Sequence, residues 1–258
     1  GNPAMMLYTG LDCHENGKFE DAFTWFTKGA SLGQSESIAE LADYYYHFYD
    51  AKALRSTIPY DPVKAIGLYR RAATKQFSDA GYTALQAAFG YIFHIGHLPL
   101  DWGLIADLTH MAATKDRFIF ALPYIGYMRI HGLGVTKNIR FGVQSLLRVL
   151  DEEQRAFEEE NRVLFYDITR ALTRVALGYA YEKGYVTGKP NLDQAVSYYE
   201  QSHQYILSHK TNLDPELKDI PIDDEAEERL AAFEEIDGHW QYKEGITEST
   251  TTVRPAPT

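Results

Sequence analysis

Between Asn2 and His203 the chain alternates two kinds of segment. In one, a large apolar residue precedes a glycine and an aromatic or long side chain follows a turn later. It reads Phe89-Gly90-x-x-Phe93-x-x-Gly96, Ile125-Gly126-x-x-Arg129-x-x-Gly132-x-Gly134-Val135 and Leu177-Gly178-x-x-Tyr181-x-x-Gly184. In the other, bulky residues are followed by small ones, as in Trp25-Phe26 with Gly29-Ala30, Leu68-Tyr69 with Ala72-Ala73, and Leu108 with Ala112-Ala113. Residues four apart share a helix face, so each such pair sets bulk against one neighbour and clearance against another. Recurrence of the pair of segments every few tens of residues predicts stacked helical hairpins.

Aligning the small residue of each first helix gives Gly10, Ala42, Gly90, Gly126 and Gly178, and the matching second-helix positions are Ala22, Ala65, Ile105, Gly142 and Ala195. A glycine weakens a helix, so its repetition points to close helix contact. Second helices are expected to start at Asp61, Asp101, Asn138 and Asn191, which have N-cap chemistry, with Pro62 in the first turn. Lys18 departs from this rule, with Glu20 and Asp21 supplying first-turn charge instead. Residues 51–57 read as an insertion in the second loop. After the fourth hairpin the spacing stretches over Asp151–Arg162, and Phe157, Leu164, Ile168, Ala171, Val175 and Gly178 form a stripe that favours a long helix entering the fifth. Residues 223–237 form a candidate capping helix with Ala226, Leu230 and Phe233 on one face and Gly238 as its stop. The expected fold is therefore all-α: an α-α superhelix, a solenoid of about five stacked hairpins with a C-terminal capping helix. One domain is expected over 1–237, followed by a largely extended or mobile tail over 238–258.

These residues resemble the Sel-one-like repeat, a sub-class of the tetratricopeptide superfamily. The resemblance covers about residues 2 to 203 and is fullest at Gly126, Gly132, Gly134, Val135 and Asn138, and at Leu177, Gly178, Tyr181 and Gly184. The first hairpin has an ordinary tetratricopeptide loop length, and the second lacks both loop glycines. The resemblance implies a bacterial-type adaptor or scaffold, of a kind often found in signalling, secretion, envelope processes or host interaction.

Composition narrows the partners. The chain has 258 residues, 45% of them apolar, and a net charge of −11. That charge argues against a nucleic-acid groove, which concentrates Lys and Arg. The acidic runs at 151–160 and 214–237 read as solvated helix face and solubilising end. No apolar run reaches the roughly 18 to 20 residues of a membrane span. One cysteine, Cys13, excludes an intrachain disulfide framework. Gly1-Asn2-Pro3 lacks a basic leader, yet Gly1 in place of methionine is compatible with removal of an upstream export signal. Cytoplasmic and periplasmic or secreted locations both stay open.

First helices of such hairpins commonly line the concave face, and the residue after each aligned small position is Leu11, Asp43, Tyr91, Tyr127 or Tyr179. One turn onward come Tyr46 and His47, His94, His131 and Glu182. Tyrosine and histidine give rigid apolar area with polar tips, which suits a peptide or helix. Tyr46, His47, Tyr91, His94, Tyr127, His131, Tyr179 and Glu182 are thus the candidate partner-binding positions. The competing reading is that these rings pack between hairpins. For metal, His94-x-x-His97 and the pair His203 and His209 lack a third ligand. For catalysis, Gly132-x-Gly134 follows no strand, Cys13 and His14 are chain neighbours, and no nucleophile-elbow or phosphate-loop motif occurs. No cofactor or catalytic residue is assigned. The reading is a non-enzymatic protein-interaction scaffold; an all-helical carboxylate hydrolase and a self-associating structural protein stand as alternatives.

Overall fold

Side-chain caps mark where the second helices begin. Asp61, Asp101, Asn138 and Asn191 each accept a backbone N–H three residues on, at 2.9, 3.0, 3.0 and 3.1 Å. Each such cap is worth about 1 kcal/mol. Lys18 makes no side-chain cap, and Glu20 and Asp21 do lie in the first turn of its helix. The computed structural model describes residues 2–46, 57–75, 77, 79–92, 98–114, 118–157, 164–210 and 221–246. Of the stretch read as an insertion, only Thr57 is among them.

The elements are α1 (Pro3–Glu15), α2 (Phe19–Ser31), α3 (Ser35–Tyr46), α4 (Pro62–Ala73), α5 (Ala80–Ile92), α6 (Trp102–Thr114), α7 (Phe118–His131), α8 (Ile139–Phe157), α9 (Leu164–Glu182), α10 (Leu192–Lys210), α11 (Pro221–Ala231), β1 (Phe233–Ile236) and β2 (His239–Tyr242). The fold is all-α, of the helical-repeat class, with helices following one another as antiparallel hairpins. It divides into two compact units: residues 1–99 with 107–118, and residues 100–106 with 119–258.

One backbone bond closes four of the hairpins in the same way. The N–H groups of Lys18, Asp61, Asn138 and Asn191 bond the carbonyls of Cys13, Tyr45, Arg129 and Tyr181 at 2.8, 3.0, 2.8 and 3.0 Å. Each acceptor lies three residues after the aligned small residue. Loop length thus varies outside a conserved closure, since the pair is bridged whether the intervening chain is short, as in the first hairpin, or long, as in the second.

The aligned glycines mark helix contact. A Cβ on Gly10 would lie 2.5 Å from the Phe26 ring, on Gly126 2.8 Å from Leu146, and on Gly178 2.6 Å from Tyr199. Phe26, Leu146 and Tyr199 each follow the small second-helix residue by four, so a bulky side chain in the second helix fills the notch left by glycine in the first. Gly90 differs, because its notch receives Ile66 from α4, the helix of the preceding hairpin. In the loop after α7, Gly134 has φ +64° and its missing Cβ would meet the Trp102 carbonyl oxygen at 2.1 Å, so no other residue fits there.

The acidic extension of the fourth hairpin belongs to α8 as far as Phe157. Its Glu153 bonds Arg174 at 2.6 Å and Arg170 at 2.9 Å on α9, so part of the run read as solvated face ties two helices together. The capping element also differs from the expected helix over 223–237. Helix α11 ends at Ala231, and the next residues pair Phe233 with Tyr242 and Ile236 with His239 around Asp237 and Gly238. Both turn residues have positive φ, 52° and 80°, the geometry of the tight hairpin turn that Asp-Gly favours. Gly238 is therefore a hairpin turn and not a helix stop.

Candidate functional site

Four of the eight candidate positions meet in the second compact unit. Tyr127 and His131 lie one turn apart on α7; Tyr179 and Glu182 lie on α9. The His131 ring is held between Tyr127 at 4.5 Å and Tyr179 at 4.6 Å between centroids. Trp102 extends the row beyond Tyr127 at 6.2 Å, and Tyr185 beyond Tyr179 at 6.1 Å. The five rings form one continuous strip; its middle three meet because residues one turn apart on the first helices α7 and α9 face the same way, and Trp102 of α6 and Tyr185 of the loop after α9 extend it.

The strip is covered by the chain's own α11. Arg229 Nη1 donates to both oxygens of Glu182 at 3.1 and 3.3 Å, and the guanidinium carbon lies 5.1 Å from the Tyr179 ring centroid. One turn earlier on α11, Glu225 Oε2 accepts the Tyr127 hydroxyl at 3.1 Å. Glu182 is wholly buried and also accepts the hydroxyls of Tyr199 at 2.8 Å and Tyr242 at 2.9 Å, with Lys183 Nζ at 3.0 Å. Taking a carboxylate out of water without such partners costs several kcal/mol, and these donors offset that cost here.

Burial sets the protonation states around it. It holds the Tyr127 and Tyr199 hydroxyls well above the ordinary tyrosine range, reinforced by Glu225 and Glu182 respectively. It pushes Tyr179 up to about 12. It lowers His131 to about 4, with Arg229 and Lys137 acting in the same direction, so the imidazole is neutral at pH 7. Burial also raises the Glu225 carboxyl, against the pull of Arg229 and the Tyr127 hydroxyl. The arrangement is one of neutral rings flanking a buried carboxylate paired with Arg229 and Lys183. Both oxygens of Glu182 are engaged by donors from three elements, which uses the carboxylate to tie helix to repeat. Among the described residues no group of three His, Cys, Asp or Glu has the placement to hold a metal ion.

The other candidates lie elsewhere. Tyr46 ends α3, half-buried, with its ring 6.3 Å from Tyr60. Tyr91 is buried in α5, a packing position. His47 and His94 lie outside the described residues. In the first unit a buried acid one turn earlier in the repeat, Asp43, accepts the hydroxyl of Tyr69. Tyr69 and Tyr199 occupy equivalent second-helix positions, so one tyrosine-to-acid bond recurs in two hairpins. Arg229, Glu225, Tyr199 and Tyr242 were not candidates from sequence. A signal for two of them exists: Arg229 is the lone arginine in the acidic stretch 214–237, one helical turn after Glu225.

The repeated closure, the glycine notches and the strip together define a repeat unit, and comparison with known proteins gives it a name. The Sel1 repeat model matches residues 3–34, 35–77, 122–144 and 169–202, half of the chain. This chain belongs to the Sel1 repeat family. Sel1 repeat proteins are generally non-enzymatic scaffolds for protein interaction. Among solved structures, a Sel1 repeat protein from Oxalobacter formigenes is similar over 81% of this chain and 74% of its own, with 20% identity and a TM-score of 0.54. The protective antigen c5321 of uropathogenic Escherichia coli, described as having an SLR fold, aligns over 90% of this chain and 54% of its own at 18% identity and a TM-score of 0.48. No curated protein matches in sequence. In this Sel1 repeat protein, no helix among the described residues is long and apolar enough to cross a membrane.

Proposed function

We propose that this Sel1 repeat protein is a non-enzymatic scaffold that takes a partner helix or peptide on the face of its first helices, with Tyr127, His131 and Tyr179 as the apolar strip and Glu182 as the anchor for a basic side chain. The observation that carries this reading is that the face already engages a helix, α11, through one arginine and one glutamate a turn apart. That is the chemistry of helix-in-groove recognition, with rigid rings giving area and one desolvated ion pair fixing register. A single repeat domain from residue 1 is part of the same proposal, carried past 237 to include β2, because Tyr242 bonds Glu182. Engagement by a separate partner exchanges with engagement by α11, because both use Glu182 and the tyrosine ring above it.

The test is Tyr179→Ala, with and without Tyr127→Ala, assayed for cross-linked partner capture and for thermal unfolding. The proposal expects capture to fall by more than the melting shift accounts for. Unchanged capture with reduced stability makes the rings packing residues and removes the proposal.

A further inference from the structure

The two polar contacts that seat α11 on the strip are of unequal quality. Arg229 gives the Glu182 carboxylate two hydrogen bonds. Glu225 meets one donor, the Tyr127 hydroxyl, at 3.1 Å, whereas a hydroxyl bonded to a carboxylate ordinarily closes to about 2.5–2.7 Å. Its other oxygen, Oε1, is shielded from water and has no hydrogen-bond partner among the described residues. Burial disfavours the charged form of this carboxyl; Glu182 and Glu228 act the same way, and Arg229 and the Tyr127 hydroxyl oppose them. A buried acceptor left without a donor carries its full desolvation penalty. The strip holds a second such atom: Nε2 of His131, whose ring lies against Tyr127, is buried with no hydrogen-bond partner. In a neutral imidazole one ring nitrogen is an acceptor, so a donor is what this corner of the strip lacks and an anion is what α11 supplies.

We propose that the strip selects a partner helix by the residue one turn before its arginine, taking glutamine there more tightly than the glutamate of α11, so that α11 is an occupant a partner can displace. This rests on the reading of the strip as a helix-binding face. Glutamine has the length of glutamate. Its carbonyl oxygen accepts the Tyr127 hydroxyl as Oε2 does, and its amide nitrogen puts two donors where Oε1 finds none. It also brings no charge toward the buried Glu182. An aliphatic side chain at the same place would leave the Tyr127 hydroxyl without its acceptor. Specificity is a difference of affinities, and a mismatch kept in the internal occupant lowers what a matched partner must overcome.

The experiment titrates the 258-residue Arg229→Ala chain against three labelled peptides of residues 219–232, read by fluorescence anisotropy: the native sequence, Glu225→Gln and Glu228→Gln. Glu228 is exposed, so its change removes the same charge away from the strip. The expected result is binding roughly fivefold tighter or more for Glu225→Gln, with Glu228→Gln within roughly twofold of the native peptide. The Glu225–Arg229 spacing helps the free native peptide hold a helix, so losing it works against the predicted gain. A Glu225→Gln peptide that binds no better than the native or the Glu228→Gln peptide overturns the proposal and leaves the strip a helix site. Binding by none of the three removes the strip reading and this proposal with it. A second readout needs no peptide: in the otherwise wild-type chain, Glu225→Gln should raise the urea midpoint above that of Glu228→Gln. An unchanged or lowered midpoint for Glu225→Gln overturns the proposal by itself.

Discussion

Arg229 on α11 directs a single nitrogen, Nη1, at both carboxylate oxygens of Glu182 on α9, 3.1 and 3.3 Å away and shielded from water. Removing Arg229 leaves the buried carboxylate with Lys183 Nζ at 3.0 Å and two tyrosine hydroxyls but without its two guanidinium hydrogen bonds, a loss of about 1.5–3 kcal/mol. Arg229→Ala should therefore destabilise the second unit by that order, read as a lowered urea midpoint. The double change Arg229→Ala with Glu182→Gln should recover part of the loss, because the buried anion that has lost one of its two cations is gone. A double variant no more stable than the single one would place the effect in α11 packing and not in the charge pair.

The His131 imidazole titrates at about 4 in the fold against an ordinary value near 6.5. Above pH 6.5 it is neutral folded and unfolded and contributes no pH dependence. As pH falls from about 6.5 to 4 the unfolded chain takes up a proton that the folded chain refuses, so stability is lost across that window, by about 3 kcal/mol in all. The raised carboxyl of Glu225 acts with the opposite sign: its contribution is present at low pH and lost as pH rises through its folded value. The clean readout is thus the stability of the wild type relative to His131→Phe, which should fall by about 3 kcal/mol as pH falls from 6.5 to 4. A constant difference contradicts the assignment.

Two glycines in helices should respond oppositely to alanine. At Gly178 an added Cβ would sit 2.6 Å from the Tyr199 ring, so helix α9 or α10 must shift, at a cost of about 1–3 kcal/mol. At Gly67 nothing lies within 4 Å, and the exposed helix interior should gain roughly 0.5–1 kcal/mol. Chemical denaturation of both variants checks the pair.

The first hairpin lacks the side-chain cap that four others have. Lys18→Asn should supply it and stabilise by about 0.5–1 kcal/mol, and Asn191→Ala should lose about 1 kcal/mol. Equal melting temperatures for Lys18→Asn and wild type would show that the local backbone at Lys18 does not admit the bond.

Local chemistry was the legible part of this chain. Caps at Asp61, Asp101, Asn138 and Asn191 announce themselves because an N-cap bond spans three residues, and the glycine notches because repetition exposes them. The ring positions Tyr127, His131 and Tyr179 were legible too, since one turn of helix fixes which residues share a face. What covers them was not. The bond from Arg229 to Glu182 joins residues 47 positions apart in sequence and crosses the masking effect of a densely acidic segment. Residues 233–237 depart from the expected helix over 223–237 for a different reason: Leu230 and Phe233 continue a helical period, while Asp237-Gly238 carries the stronger turn preference and wins. Glu153 shows the same limit, an acid in an acidic run whose arginine partners lie on the next helix.

The central claim is that the strip beside Glu182 binds a helix bearing an arginine and that α11 is its occupant within the chain. The most direct measurement is fluorescence anisotropy of a labelled peptide spanning residues 219–232, titrated with the 258-residue Arg229→Ala chain. Saturable binding that is lost when Arg229 of the peptide is changed to alanine, or when Glu182 of the chain is changed to glutamine, is the predicted result. Absence of binding to a chain that remains folded, or binding indifferent to both changes, would contradict the account.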